Sequence, residues 1–134
     1  MSKIADFLTD AGTFYFATVD GTSPKVRPFG FFMEYNGKLY FGMGTHKEVW
    51  KQIQKNPEVE VVAVSKEGKW IRIHGKAVVD STPEASKTAF EKAPFLSSIY
   101  NAESKLTLGL LWLDKGDASI IDMAGNIEKV PLNS

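Results

Sequence analysis

Arg27, Thr45, His46 and Lys47 are the residues whose types and spacing could do chemistry together. They flank Asn36-Gly37, a pair that accepts the positive φ angles of a two-residue type I′ hairpin turn. Counting outward from that turn sets Tyr35 opposite Lys38, Met33 opposite Tyr40, Phe31 opposite Gly42 and Phe29 opposite Gly44. An unbroken ladder continues to Pro28–Thr45, Arg27–His46 and Val26–Lys47. A helical pattern, Lys47 to Lys55, begins at the same end, and a helix start carries unpaired N–H groups and a partial positive charge. Two cations, a hydroxyl and a helix start form a phosphate site. The same residues equally describe a solvated basic strand end.

Pro28 cannot donate to a sheet ladder, so it marks an edge, a bulge or a place where a ligand approaches. With Gly30, Gly42 and Gly44 it thins the side chains over one part of the sheet, and a flat ring could lie on such backbone. Packing of Phe29 and Phe31 over the facing glycines explains the pattern as well. His46 and His74 are the only histidines, too few without clustered carboxylates for a metal site. There is no Gly-x-Gly-x-x-Gly, Walker or Gly-x-Ser-x-Gly motif. With no acid–base or nucleophilic constellation, any catalysis falls to a cofactor.

The elements that must position these residues follow from pattern. Ser2 caps a short helix with Ile4, Phe7 and Leu8 on one face, ended by Ala11-Gly12. Phe14 to Val19 is a strand with apolar residues on both faces, and Asp20 to Pro24 is turn chemistry. After the hairpin and its helix, Asn56-Pro57 is a stop. Val59 to Val64 and Trp70 to Val79 are strands, the second alternating Ile71, Ile73 and Gly75 against Trp70, Arg72, His74 and Lys76. Pro83 opens a third helix. Leu106 to Leu113 and Ala118 to Met123 are two strands about an Asp114–Asp117 turn, before a tail strand, Ile127 to Val130. The pattern predicts one domain over residues 1–134, mainly β with peripheral helices, as an antiparallel barrel.

Lys plus Arg and Asp plus Glu both number 16, so the chain lacks the basic surplus that nucleic-acid or anionic-membrane binding needs. Hydrophobic residues at 43% exclude a disordered chain. The absence of cysteine excludes disulfides and thiolate chemistry. No apolar run spans a bilayer and no signal-peptide core opens the chain, so a cytoplasmic location is expected.

The strand FYFATVDG, then PKVRPFGF, NGKLYFGMGTHKEVWKQIQKNPEVEVVAV and WIRIHGKA together resemble the FMN-binding split-barrel proteins, the pyridoxamine 5′-phosphate oxidase-like superfamily, over nearly the whole chain. The resemblance implies an antiparallel split β-barrel of FMN-binding type, with FMN at a homodimer interface. It implies that Arg27, Thr45 and Lys47 hold the FMN phosphate. Pro28, Phe29, Gly30, Met43 and Gly44 would border the isoalloxazine, Trp70 would lie near the ring, and Trp112 would reach it from the second subunit. Pyridoxamine phosphate oxidases proper carry a C-terminal Arg and His for the substrate phosphate, whereas this chain has no arginine after Arg72. The small size is more similar to the nitroimidazole-resistance and general-stress branches. The implied activity there is flavin-dependent reduction of a small molecule, with NAD(P)H or another donor supplying electrons. The other readings are a non-catalytic flavin or haem binding or sensing protein, and use of the deazaflavin F420.

Overall fold

The computed structural model describes residues 2–132. Helix α1, Lys3–Ala11, starts where the Ser2 hydroxyl accepts the Ala5 N–H at 3.2 Å. It buries Ile4, Ala5 and Leu8, and ends at Gly12, whose φ of 79° suits a residue without Cβ. Strands β1, Phe14–Asp20, and β2, Ser23–Phe29, form a hairpin. Strands β3, Phe32–Tyr35, and β4, Lys38–Gly44, form the next, about Asn36 and Gly37 at φ of 52° and 70°, the expected turn. Helix α2, Glu48–Lys55, follows, then β5, Glu58–Val64, and β6, Trp70–Val79. Helix α3, Pro83–Lys92, runs into a 3-10 helix, Pro94–Ser98. Strands β7, Leu108–Ile121, and β8, Ile127–Val130, complete the described chain.

The sheet is antiparallel throughout, in the order β2-β1-β5-β6-β7-β4-β3, with β8 beside β7. Its curvature brings Phe14 and Phe16 of β1 to 5.3 Å from Phe41 of β4, ring centroid to ring centroid. The inward rows of β1, β4, β5, β6 and β7 make one core, plugged by Ile4 and Leu8 of α1 and by Val49 and Ile53 of α2. A second, smaller core lies outside, where Ala85 and Ala89 of α3 and Leu96 cover Met33, Tyr40, Leu108 and Leu110. Burying these rows supplies the main stabilisation, at about 25 cal/mol for each Å² of apolar surface. The barrel is split, because β2 and β3, consecutive in the chain, end the sheet path and do not pair.

Two sequence expectations give way. The Asn36-Gly37 ladder holds from Tyr35–Lys38 to Phe32–Phe41 and stops there. β2 pairs with β1 instead, setting Arg27 opposite Phe16 and not opposite His46. Gly21, at φ 64°, closes a tight turn that folds β2 back on β1. The chain then leaves that hairpin through Gly30-Phe31. The second correction is that Asp114 to Asp117 is not a turn, since β7 runs through it unbroken. His74 pairs Asp117 and Lys76 pairs Asp114, so β7 carries the extra residue of a bulge. Lys115 takes φ 48°, and Gly116 crosses so close to β6 that a Cβ would strike the His74 carbonyl. Among the described residues no helix is long and apolar enough to cross a membrane.

Candidate functional site at the barrel split

The break between β2 and β3 makes a cleft. β3 has stopped pairing by Phe41, so the edge of β4 at 42–44 that is turned away from β7 has no strand beside it. Phe29, Gly30, Gly42, Met43 and Lys47 line this opening. The other lining comes from the 3-10 helix, through Phe95 and Leu96, and from Ile99 and Tyr100 just after it. The cleft holds about 270 Å³. Gly30 has open space where its Cβ would be, and the Phe31 ring takes the place beside Gly42, 3.0 Å from where a Cβ would stand. Bare backbone, aromatic side chains and one lysine suit a flat ring carrying an anionic tail. Burial raises the Tyr100 hydroxyl above its ordinary pKa, so it stays neutral.

Arg27 reaches the neighbourhood of Lys47 by a route different from the predicted one. Its Nη1 donates to the Phe16 carbonyl at 3.2 Å and to Thr18 Oγ1 at 2.8 Å, and its Nη2 donates to Gln52 Oε1 at 2.9 Å. Thr18 in turn donates to the same Gln52 oxygen at 2.6 Å. Burial lowers the guanidinium pKa from its ordinary value, and an arginine side chain keeps its charge in proteins. The charge therefore rests on the flank of α2, the helix whose N-cap is Lys47. Gln52 lies five positions beyond Lys47, about 7.5 Å along the helix axis. No side chain caps the start of α2. Thr45 sits just ahead of it, its N–H donating to the Thr107 carbonyl at 3.0 Å and its methyl packed with Trp50 over Gly109. His46 is exposed, with its ring lying over Gly44.

The chain thus brings together Phe29, Gly30, Met43 and Lys47, with Gly44, Thr45 and Arg27 alongside. It does not bring Pro28, Trp70 or Trp112 to the cleft lining. Pro28 is exposed opposite Tyr15. Trp70 pairs with Ile121, twelve residues along β7 from Gly109, the partner of Met43. Trp112 lies on the α3 side with Lys38 Nζ 4.2 Å over its ring. Sequence reasoning missed the 3-10 wall, because it ended at the Ala93-Pro94 break. The spacing of Phe95, Leu96, Ile99 and Tyr100 was its available signal.

The chain belongs to the pyridoxamine 5′-phosphate oxidase family, whose model matches residues 1–128. Within that family it is similar to the nitroimidazole-resistance-like branch. A NimC/NimA family protein from Clostridium acetobutylicum is 36% identical, with 96% of this chain and 89% of that one covered and a TM-score of 0.88. Two more distant structures share the fold. One is a pyridoxamine 5′-phosphate oxidase-related, FMN binding protein from Nostoc punctiforme, at 15% identity, 96% and 95% coverage and a TM-score of 0.62. The other is a heme binding protein from Mycobacterium smegmatis, at 13% identity, 92% and 54% coverage and a TM-score of 0.72. Among curated proteins no match is found.

Proposed function

We propose that this chain is an FMN flavoprotein acting as a homodimeric oxidoreductase, passing electrons from a reduced nicotinamide or another donor to a small acceptor. The observation that carries the reading is the cleft at the split, where bare backbone at Gly30 and the aromatic wall lie beside Lys47 and the Arg27-bearing flank of α2. Bound FMN would supply the redox chemistry as a hydride carrier. Arg27, Thr45 and Lys47 would hold the phosphate, since a dianion needs fixed positive groups and N–H or O–H donors. Phe29, Gly30, Met43 and Gly44 would border the ring, and Phe95 and Tyr100 would exclude water from its far side. A cleft of about 270 Å³ falls below the ~300–1,000 Å³ usual for ligand pockets, which supports completion by a second copy. Any contact of Trp70 or Trp112 with the ring would then cross the subunit interface.

The deciding experiment is the visible spectrum of protein purified without added cofactor, with mass identification of what is released, then NAD(P)H oxidation in the presence of an acceptor. Flavin bands, released FMN and turnover are expected. Replacing both Arg27 and Lys47 by Ala should abolish retention, and unchanged retention would sink the phosphate assignment. A second reading, a non-catalytic haem or flavin binder, draws support from the shared fold of the Mycobacterium smegmatis protein and from exposed His46 beside Gly44, a residue type that ligates haem iron. A Soret band in place of flavin bands, or colour without turnover, would favour it. Deazaflavin F420 has its own spectrum and mass.

A further inference from the structure

Thr18 and Gln52 hold polar side chains at core positions. Thr18 lies on the inward row of β1 with Phe14 and Phe16, at 2% exposure. Gln52 lies on the buried row of α2 with Val49 and Ile53, at 9%. Aliphatic residues there would bury more apolar surface without needing partners. Instead the two side chains join Arg27 in a closed network, in which Gln52 Oε1 accepts from both Thr18 and Arg27, and Thr18 Oγ1 accepts from Arg27 while donating to Gln52. Both buried groups are thereby satisfied. The bonds fix the plane of the guanidinium, and with it the direction of the charge, against the helix that begins at Lys47.

We infer that Thr18 and Gln52 are positioning residues for phosphate recognition. They hold Arg27 so that the cleft distinguishes a phosphorylated ligand from its unphosphorylated counterpart. The inference rests on the flavin reading above and adds to it the residues that set selectivity at the phosphate end. Simple core residues would affect every ligand of the cleft alike, whereas positioning residues affect the phosphate alone.

The test compares dissociation constants for FMN and riboflavin by fluorescence quenching, in the wild-type protein, Thr18→Val, Thr18→Ser and Gln52→Leu. The wild type should prefer FMN strongly. Thr18→Val and Gln52→Leu should each cut that preference about tenfold, the effect of losing one hydrogen bond to a charged group, with riboflavin affinity held. Thr18→Ser keeps the hydroxyl and should keep the preference. A preference unchanged in Thr18→Val overturns the inference, even if both affinities fall together. The near-isosteric Thr18 variants decide the matter if Gln52→Leu does not fold. A wild type that binds both flavins equally overturns the phosphate role while leaving a flavin site standing, and one that binds neither overturns the flavin reading itself.

Discussion

Tyr40 is 2% exposed and yet ends in a hydroxyl, which donates to Asp80 Oδ2 at 2.6 Å. Burial raises the Tyr40 pKa, and its bond to Asp80 raises it further, so it remains a donor. Burial would also raise the Asp80 pKa, but hydrogen bonds from Tyr40 and Thr82 outweigh that and leave it below its ordinary value of 3.8. A depressed folded-state pKa gives stability that is complete above the unfolded value of about 3.9 and lost as pH falls through the folded value. Asp80→Asn should therefore flatten the loss of stability below about pH 4, measured as urea midpoints on either side of it. Tyr40→Phe, which removes one hydrogen bond to the carboxylate and leaves those from Thr82, should cost about 1 kcal/mol near neutrality by the same assay. At this scale the sequence was partly readable. Lys47 and Arg27 could be picked out by charge. The partners of Arg27 could not, because Thr18 and Gln52 show only as polar breaks in apolar rows, and the sequence does not say which break faces which.

The elements were legible wherever local chemistry decided them. Asn36-Gly37 forced a hairpin, Ser2 and Gly12 bounded α1, and Asn56-Pro57 ended α2. They were illegible where a long-range contact overrode a local signal. Asp-Lys-Gly-Asp has the composition of a turn, and in isolation it would fold as one. Here β6 pairs on both sides of it and pulls β7 straight, leaving only a bulge. Gly116 makes this possible, since a Cβ would strike the His74 carbonyl and the Gly75 backbone. Gly116→Val should therefore destabilise the fold by about 3 kcal/mol, the scale of overpacking, read from denaturant midpoints. Asp117→Asn, on an exposed neighbour, should change little. A similar override ended the expected β2–β4 ladder: the β1–β2 turn captured β2, and the cleft is the space the missing pairing leaves.

For the whole molecule, the outward face of the sheet is the feature that the proposed homodimer would use. The helices plug the barrel interior or cover β3, β4 and the start of β7, and an apolar patch made by Tyr15 of β1, Val26 of β2, Val62 and Val64 of β5 and Trp70 of β6 lies on the outward face, bordered by Glu60, Arg72 and Lys76. Tyr15 is 44%, Val26 65% and Val64 57% exposed, and Trp70 pairs with Val64 beside them. The sequence puts apolar residues on both faces of β1, a pattern that suits a barrel wall covered outside by a helix or a partner subunit. On the homodimer reading proposed above, a second copy would cover this patch, because a self-complementary surface can be buried by a two-fold axis. Tyr15→Glu combined with Val64→Lys sets charges into that patch and should convert a dimer to a monomer, measured by sedimentation. If the second copy also completes the cleft, flavin binding and association are linked, and each must strengthen the other. The monomeric variant should then lose at least tenfold in FMN affinity although neither substituted residue lines the cleft, and wild-type FMN affinity should fall on dilution below the dimer dissociation constant. A stable monomer that binds FMN as tightly as the wild type would confine the site to one chain and leave the apolar face to some other partner.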